Sequence, residues 1–233
     1  MTLRDPLLPL IHLEPIQHAW AHGLFHIPDA VLFMPFEEGS GSTAHDWTKY
    51  GNHGTLYGPS WVAGKYGKAL SFDGVNDYVE IPHSSSLNIT PELTVIMWVN
   101  LEQIPSGSPI ILYKLAAYGP LYTYLAESPN PYLMPYIYIG GVSRCSAAGS
   151  FFEYNKWYQI GFRVSYSSGT TTIANILNGE ILNPATYSGQ MDTSLNTLKI
   201  DWTYDVKGII DEFRIYNRAL TAWEIYLIYA GLG

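Results

Sequence analysis

The stretch GIIDEFRIYNRALTAWEIYLIYAGLG, residues 208–233, changes its pattern halfway along. Its first ten residues are rich in β-branched and aromatic side chains and carry two acids, which is typical of a strand. Thr221 then precedes Glu224 by three residues, the spacing of a capping box at a helix start. Leu220 and Ile225 flank that start as a hydrophobic staple. The stretch therefore predicts a strand that leads directly into a short helix.

The composition of the whole chain favours strands joined by tight turns. Of its 233 residues, 47% are hydrophobic and only 14% are charged, and the chain holds 19 Tyr, 7 Trp, 21 Gly and 15 Pro. Aromatic residues favour strands, whereas Gly and Pro favour turns. This length and hydrophobic fraction suffice for one large core, so we expect a single all-β domain.

Apolar segments bounded by turn residues recur from residue 30 onward. They predict eleven or twelve strands, at 30–36, 54–58, two within 67–82, 93–101, 108–115, 121–127, 135–141, 156–165, 170–180, 197–202 and 208–217. Many short strands separated by turn signals are typical of a two-sheet antiparallel β-sandwich or jelly roll. We therefore expect such a sandwich, closed by the short C-terminal helix.

Charge and residue usage exclude several classes of function. The net charge is −8 and the 12 Lys and Arg residues are scattered, so the basic surface needed to bind nucleic acid is missing. A single cysteine, Cys145, rules out an internal disulfide. No apolar run is long enough to predict a membrane span. The first residues do not fit a signal peptide, so we expect synthesis in the cytoplasm.

Residues 1–28 differ from the rest of the chain. They hold four of the seven histidines and show no sustained periodicity, so we interpret them as an extended N-terminal arm before a domain at 29–233. Exposed apolar side chains would reduce solubility, which predicts that the arm docks on a partner. The expected docking residues are Leu8, Leu10, Ile11, Trp20 and Phe25.

Four segments carry a resemblance to a known family. They are GKYGKALSFDGVNDYVEIPHSSSLNITPELTVIMWVNLE (64–102), NKWYQIGFRVS (155–165), ILNGEI (176–181) and IIDEFRIYNRALTAWEI (209–225). In this order they resemble the laminin G-like, concanavalin A-like lectin and glucanase jelly roll, over residues 30–230. The resemblance implies two antiparallel sheets, with the last strand and the short helix closing the sandwich.

The resemblance also implies a kind of function and a metal site. Members of this family mostly bind carbohydrate or protein, and many hold one structural calcium ion at the edge of the sandwich. The family pattern places calcium ligands at Glu37 or Glu38, at Asp46 and at Asp211. Oxygen ligands of this kind, together with backbone carbonyls, suit Ca²⁺. The alternative is that Asp211 accepts hydrogen bonds from a neighbouring loop and that Asp46 is a turn residue.

The same jelly roll includes glycoside hydrolases, which need two carboxylates flanking the scissile bond. The Glu-x-Asp-x-x-Glu string of the laminarinase-type enzymes does not occur in this sequence. The clearest neighbouring acids, Asp211 and Glu212, are expected to point to opposite faces of their strand. An enzyme that takes its acids from separate strands is the weaker alternative, and we expect a protein without catalytic activity.

Two predicted strands carry tyrosines at alternating positions. Tyr122 and Tyr124 share one face of the first strand, and Tyr136 and Tyr138 share one face of the second. If these strands pair, the four rings form a patch suited to the apolar face and the hydroxyl groups of a sugar. A protein interface and packing beneath long loops are the alternatives. The tryptophans beyond the arm are interpreted as packing residues: Trp47, Trp61, Trp98, Trp157, Trp202 and Trp223.

These observations lead to three hypotheses about function. The first is a non-enzymatic structural or adhesion subunit of a larger assembly, such as the surface of a virus or phage particle, attached through the arm and forming homo-oligomers. The second is a free carbohydrate-binding lectin, with a glycan as partner. The third is a glycoside hydrolase. Calcium is the one cofactor that the sequence suggests.

Overall fold

The computed structural model describes residues 29–103, 110–114, 121–127, 131–146, 153–203 and 206–232. The predicted arm therefore lies outside the described residues, together with its expected docking residues Leu8, Leu10, Ile11, Trp20 and Phe25. Within the described part, most residues belong to strands and one α-helix is present. The all-β prediction is confirmed.

The strands of the described residues form two antiparallel sheets. They are β1 (Ala30–Met34), β2 (Thr43–Ala44), β3 (Gly54–Tyr57), β4 (Ser60–Ala63), β5 (Lys68–Asp73), β6 (Tyr78–Ile81), β7 (Leu93–Gln103), β8 (Ile110–Lys114), β9 (Leu121–Glu127), β10 (Pro131–Ile139), β11 (Val142–Cys145), β12 (Trp157–Ser167), β13 (Thr170–Leu177), β14 (Glu180–Ser188), β15 (Leu198–Thr203) and β16 (Lys207–Tyr216). Sheet 1 has the order β14-β13-β12-β7-β16-β5-β4, and β1 also pairs with β16. Sheet 2 has the order β11-β10-β9-β8-β15-β6-β3-β2.

The main core lies between the two sheets. Strand β7 shows how the alternation of a strand fills it, because Val95, Met97 and Val99 face the core between the sheets. Ile96 faces the other way and joins a second, smaller apolar cluster on the outer face of sheet 1. Sheet 1 is therefore buried on both of its faces in this region.

Helix α1 (Ala222–Tyr229) covers the outer face of sheet 1. The Thr221 hydroxyl accepts a hydrogen bond from the backbone N–H of Glu224 at 3.3 Å, and the Glu224 carboxylate accepts one from the backbone N–H of Thr221 at 2.8 Å. Leu220 and Ile225 are fully buried together. The predicted capping box and hydrophobic staple are confirmed. Among the described residues no helix has the length and apolarity of a membrane span.

The structure contains four strands that were not predicted, β2, β4, β11 and β14, and it changes the bounds of several others. The predicted strand 170–180 ends at Leu177, and a turn at Asn178 and Gly179 then joins β13 to β14 in a hairpin. These two residues have φ values of +46° and +84°, as an Asn-Gly hairpin turn requires. The strand predicted at 135–141 begins earlier, at Pro131, and ends at Ile139.

Candidate functional site

Strand β16 carries its two acids at an irregularity in the sheet. Ile210 and Phe213 both pack in the core between the sheets, although they are three residues apart. The pairing with β7 shifts register between Asp211 and Arg214, and Glu212 has a φ of +54°. Such a bulge adds one residue to a strand and interrupts the alternation of its faces. Asp211 and Glu212 therefore both lie on the outer face of sheet 1, and the expectation that they point to opposite faces is wrong.

Asp211 is completely buried, and only one of its two carboxyl oxygens has a hydrogen-bond partner among the described residues. Its Oδ2 accepts a hydrogen bond from the backbone N–H of Tyr66 at 3.0 Å, which joins β16 to the loop before β5. Its Oδ1 has no hydrogen-bond partner of acceptable geometry among the described residues. Burial raises the pKa of Asp211 to about 8, and the charges of Glu212 and Glu37 act in the same direction. A bound cation would stabilise the ionised form of such a carboxyl group.

Glu212 forms a buried ion pair with Arg214, at an Oε2 to Nη2 distance of 2.6 Å. The guanidinium carbon also lies 4.4 Å from the centroid of the Phe33 ring on the neighbouring strand β1. Burial raises the pKa of Glu212, while Arg214 opposes that shift. Removal of either partner would leave an uncompensated buried charge, so the pair has a structural role in the bulge.

Several oxygen atoms converge around Gly64, in the loop between β4 and β5. A methyl group built on Gly64 would lie 2.5 Å from Asp211 Oδ2 and 2.7 Å from the carbonyl oxygens of Tyr66 and Lys68. One carboxylate and two carbonyls from separate segments therefore surround a single small volume. Only glycine fits at this position without displacing one of those oxygens.

Glu37 reaches the same region from the loop after β1. Its Oε2 accepts a hydrogen bond from the backbone N–H of Lys68 at 3.2 Å, and a methyl group built on Gly67 would overlap its carboxylate. Burial raises the pKa of Glu37. The charge of Glu37 in turn contributes to the raised pKa of Asp211.

The four predicted calcium ligands do not form one group. Within the described ranges, no set of three or more His, Cys, Asp or Glu side chains is arranged to hold a metal ion. The reduced set of Glu37, Asp211 and the carbonyls of Tyr66 and Lys68 supplies oxygens of the chemical type that Ca²⁺ accepts. The unsatisfied Asp211 Oδ1 supports this reduced ligand set.

Asp46 has a different role, because both of its carboxylate oxygens already accept hydrogen bonds from nearby residues. Oδ1 accepts hydrogen bonds from the backbone N–H groups of Phe33 and Thr48, at 3.0 and 2.9 Å. Oδ2 accepts from the Thr48 hydroxyl and from the backbone N–H of Asn52, both at 2.8 Å. Asp46 thus matches the turn-residue alternative. Glu38 accepts one backbone N–H of that loop at 2.7 Å, and its buried Oε2 has no described partner.

The predicted tyrosine strands β9 and β10 do pair with each other. Tyr136 lies directly opposite Tyr122, whereas Tyr124 lies opposite Met134. Tyr136 and Tyr138 are half-buried, and they alternate with core residues of β10. The side chains of Tyr122 and Tyr124 lie outside the described part of the structure. The register therefore brings two of the four expected positions into direct opposition.

A row of paired residues crosses sheet 2 at the level of Tyr136. In strand order from β3 to β11 the row consists of Thr55, Glu80, Lys199, Tyr113, Tyr122, Tyr136 and Cys145. Directly paired residues occupy the same face of a sheet. The neighbouring residues Val79, Ile200 and Ile137 belong to the core, so the row occupies the outer face. Sequence inspection missed the row because it depends on the register of seven strands.

Beside the β3 end of this row, β3 and β6 carry a second pair of tyrosines. The rings of Tyr57 and Tyr78 stack with centroids 4.6 Å apart, and Tyr57 is 45% exposed. Lys199 Nζ lies 4.6 Å from the centroid of Tyr78 and 3.0 Å from a carboxylate oxygen of Glu80. The outer face of sheet 2 therefore combines aromatic rings with a compensated charge pair.

Two tryptophans are exposed, although packing roles were expected for them. Trp47 is 56% exposed in the loop held by Asp46, and Trp223 is 66% exposed on helix α1. Trp223 stacks on Tyr226, one helical turn along, while Ile225 and Ile228 form the buried stripe. A helical projection of residues 222–229 separates these two stripes, so the exposure of Trp223 was accessible from the sequence.

Solved structures with the same fold share little sequence with this chain. The binding domain of Paraclostridial Mosquitocidal Protein 1 aligns with a TM-score of 0.69 at 13% identity, over 87% of this chain and 52% of that one. Domain 4 of AbnA, a GH43 extracellular arabinanase from Geobacillus stearothermophilus in complex with arabinotriose, aligns with a TM-score of 0.67 at 19% identity, over 85% and 97%. Botulinum neurotoxin type C, whose cell entry depends upon interaction with two ganglioside molecules, aligns with a TM-score of 0.68 at 11% identity, over 88% and 51%. The chain spans about half the length of the first and the third of these structures.

Sequence comparison gives the family. No curated protein matches the chain. A family model for laminin G-type domains, described as the concanavalin A-like lectin/glucanases superfamily, matches residues 73–226, which is well over half of the 233 residues. The jelly-roll resemblance in the four sequence segments is thereby confirmed. The chain belongs to the laminin G-type family of the concanavalin A-like lectin/glucanases superfamily.

Proposed function

We propose that this chain is a non-enzymatic module that binds carbohydrate on the outer face of sheet 2. The observation that carries the proposal is the cross-strand row on that face, with Tyr136 near one end and the stacked Tyr57 and Tyr78 near the other. Tyrosine offers an apolar ring to the C–H face of a sugar and a hydroxyl to its polar edge. Rings fixed on strands hold such groups in place better than rings on loops.

Two of the structures with the same fold support a glycan as ligand. One was solved with arabinotriose, and the cell entry of the other depends upon interaction with two ganglioside molecules. At sequence identities of 19% and 11%, the similarity to these structures establishes the fold but not the position of a binding site. The position of the proposed glycan site on this chain therefore rests on the chain's own tyrosines.

The acids of β16 favour binding over hydrolysis. A glycosidase needs two carboxyl groups that contact the substrate. Asp211 is completely buried, beneath a loop that leaves no room for a methyl group at Gly64, so a sugar has no access to it. Glu212 is also buried and is paired with Arg214. Although the bulge brings both acids to one face, neither is available for chemistry on a glycan.

We also propose that Asp211 and Glu37 hold a structural Ca²⁺ ion, with the carbonyl oxygens of Tyr66 and Lys68. When bound, the ion supplies charge neutralisation and ties three separate segments together. The raised pKa of both carboxyl groups and the unsatisfied Asp211 Oδ1 support this assignment. The ion would stabilise the edge of sheet 1 and would not contact the proposed glycan.

The apolar N-terminal segment suggests a role in an assembly. We propose that the module serves adhesion within a larger homo-oligomeric assembly, such as a virus or phage particle, to which residues 1–28 attach it. The apolar residues of that segment, Leu8, Leu10 and Ile11 among them, support attachment. Deletion of residues 1–28 should abolish incorporation into the assembly while the jelly roll stays folded. Unchanged incorporation would contradict this role.

A glycan array with the full chain tests the carbohydrate proposal. We expect binding to at least one glycan, and Tyr136→Ala should weaken it by about tenfold because the ring is lost. Tyr136→Phe keeps the ring and should retain most of the affinity. Tyr226→Ala, on exposed helix α1, is the matched control and should bind as the wild type does. An array without any binding, or equal losses in Tyr136→Ala and Tyr226→Ala, would contradict the proposal.

A further inference from the structure

We infer that the open edge of the sandwich between β11 and β14 binds an oxyanion, the carboxylate or phosphate group of a ligand, through Arg144. The site is separate from the proposed glycan site, which lies on the outer face of sheet 2, and it does not depend on that proposal. The inference rests on where Arg144 points and on what surrounds its guanidinium group.

Arg144 lies at the edge of the sandwich and points into the space between its two sheets. β11 is an edge strand of sheet 2, and β14 is an edge strand of sheet 1. Arg144 pairs with Ile137, which belongs to the main core, so both residues occupy the inner face of sheet 2. The Tyr187 hydroxyl on β14 donates to the carbonyl oxygen of Cys145 at 2.7 Å, which joins the two edge strands here. The guanidinium group therefore lies at the lateral opening of the sandwich.

Arg144 differs from the other described arginines because its guanidinium group has no acceptor. Such a group carries five N–H donors. Arg163, Arg214 and Arg218 each donate at least one hydrogen bond to a carbonyl or a carboxylate. Among the described residues nothing accepts a hydrogen bond from the Arg144 side chain, and its Nε is buried without a partner. The side chain as a whole is half-buried, so an approaching ligand meets the two terminal nitrogens.

No acid of the described residues neutralises this guanidinium group, since the ion pairs among them do not include Arg144. Asp192 lies beside the turn between β10 and β11. Its two carboxylate oxygens accept the backbone N–H groups of Gly140 and Gly141, at 3.0 and 2.8 Å. The charge of Arg144 is thus uncompensated in the described structure, and a bound anion would compensate it.

The surroundings of Arg144 hold it in place and are polar. Its guanidinium carbon lies 5.2 Å from the centroid of the Tyr187 ring, a contact that favours the cation. Ser146 occupies the next inner position of β11, and its hydroxyl donates to Asn175 Oδ1 at 2.7 Å. The Asn175 amide in turn donates to the carbonyl oxygen of Leu133 at 3.3 Å. These buried polar groups satisfy one another, so Arg144 is the group of this opening that still requires a partner.

The chemistry of the guanidinium group selects the class of ligand. It binds carboxylates and phosphates through two parallel N–H···O bonds, whereas a neutral or apolar group would leave its charge uncompensated. The net charge of −8 opposes the approach of anions. We therefore expect a millimolar affinity for small anions that weakens as the salt concentration rises.

An NMR titration of the full chain tests the inference. The probes are acetate, inorganic phosphate and sulfate, added in calcium-free buffer at constant ionic strength, with chloride as the reference ion. We expect saturable shifts of the Arg144 Nε–H signal and of the backbone amides of β11, and no such shift at Arg163. Tighter binding of acetate would assign a carboxylate ligand, and tighter binding of phosphate or sulfate a phosphate ligand. The absence of a saturable shift with all three probes would overturn the inference.

Substitutions give a second readout. Arg144→Gln removes the charge, so the affinity for the best anion should fall by about tenfold or more. Arg144→Lys keeps the charge but loses the paired donors, and its loss should be intermediate. Lys49→Gln is the matched control, because it removes the same charge from a cation that also lies 5.2 Å from a tyrosine ring, that of Tyr50. Wild-type affinity in Arg144→Gln, or an equal loss in Lys49→Gln, would overturn the inference.

Discussion

Asp211 accepts the backbone N–H of Tyr66 at 3.0 Å and so connects the last strand to a loop 145 residues earlier in the chain. The contact places a buried carboxyl group beside the oxygens around Gly64. Both the proposed calcium site and the pH dependence of stability depend on this buried carboxyl group.

Calcium should stabilise the wild type through Asp211. A ligand present at a hundred times its Kd adds about 2.7 kcal/mol to the free energy of unfolding, which for a domain of this size raises Tm by about 5 to 10 °C. Asp211→Asn keeps the shape of the side chain but removes its charge, so the shift should largely vanish. Thermal unfolding with calcium and with a chelator measures it.

Asp46→Asn is the matched control for that experiment. It removes hydrogen bonds from a filled loop carboxylate and should lower Tm with and without calcium. Because Asp46 is outside the reduced ligand set, the calcium shift itself should stay. A shift that persists in Asp211→Asn and is lost in Asp46→Asn would contradict the assignment.

Stability without calcium should fall as the pH rises. The pKa of Asp211 is raised to about 8 in the folded protein from an ordinary value of 3.8. Between these two values the folded state holds a proton that the unfolded state has released, so the free energy of unfolding decreases with increasing pH. The raised pKa values of Glu37 and Glu212 have the same sign. Urea unfolding in chelator from pH 5 to pH 8 should show this decline.

Asp211→Asn should flatten the decline in that pH range, since the amide does not titrate. Calcium should flatten it too, because a cation stabilises the ionised carboxylate. A variant with the same slope as the wild type would mean that another group is responsible.

Glu224 should make the free energy of unfolding increase with rising pH in the acid range. Hydrogen bonds from Arg218, together with those from Thr221, lower the pKa of Glu224 to about 2. Its contribution to stability is therefore present above its ordinary pKa of 4.5 and is lost as the pH falls towards 2. Glu224→Gln should lower the free energy of unfolding at pH 7 by about 1 kcal/mol, as expected for loss of a cap.

That difference between Glu224→Gln and the wild type should shrink as the pH falls from 4.5 to 2. The control is Glu153→Gln, which breaks an exposed ion pair with Lys156 and should have almost no effect. An equal loss in the two variants would exclude a special role for the capping box.

The two stripes of helix α1 should respond differently to truncation. Ile225 is fully buried against sheet 1, so Ile225→Ala should cost about 2 to 4 kcal/mol in the free energy of unfolding. Trp223 is larger but 66% exposed, and Trp223→Ala should cost less than about 0.5 kcal/mol. Chemical denaturation of both variants measures the difference. A greater loss from Trp223→Ala would show that the helix packs through its other face.

Local sequence signals predicted the closing helix because each of its parts acts over a few residues. Thr221 and Glu224 form a capping box across three positions, and the four family segments allowed the sandwich fold to be predicted. The bulge at Asp211 and Glu212 was not predictable in the same way. Alternation assumes a regular ladder, whereas the additional residue is visible only once β16 is paired with β7.

The candidate sites depended still more on long-range structure. Carbonyl oxygens such as those of Tyr66 and Lys68 have no signature in a sequence, so only the acids of a calcium site can be expected from it. Asp46 matched the family pattern, yet both of its carboxylate oxygens already accept hydrogen bonds from nearby residues. Tyr136 was a candidate from the alternation of its strand, but its alignment with Glu80 and Lys199 required the register of several strands.

Glycan binding on the outer face of sheet 2 is tested most directly by residue-level amide chemical shifts on saturation with the best glycan of the array. We expect the largest shifts on β10, β15 and β6, around Tyr136, Lys199 and Tyr78, and little change on helix α1. Shifts confined to helix α1 or to the loop around Trp47 would contradict it.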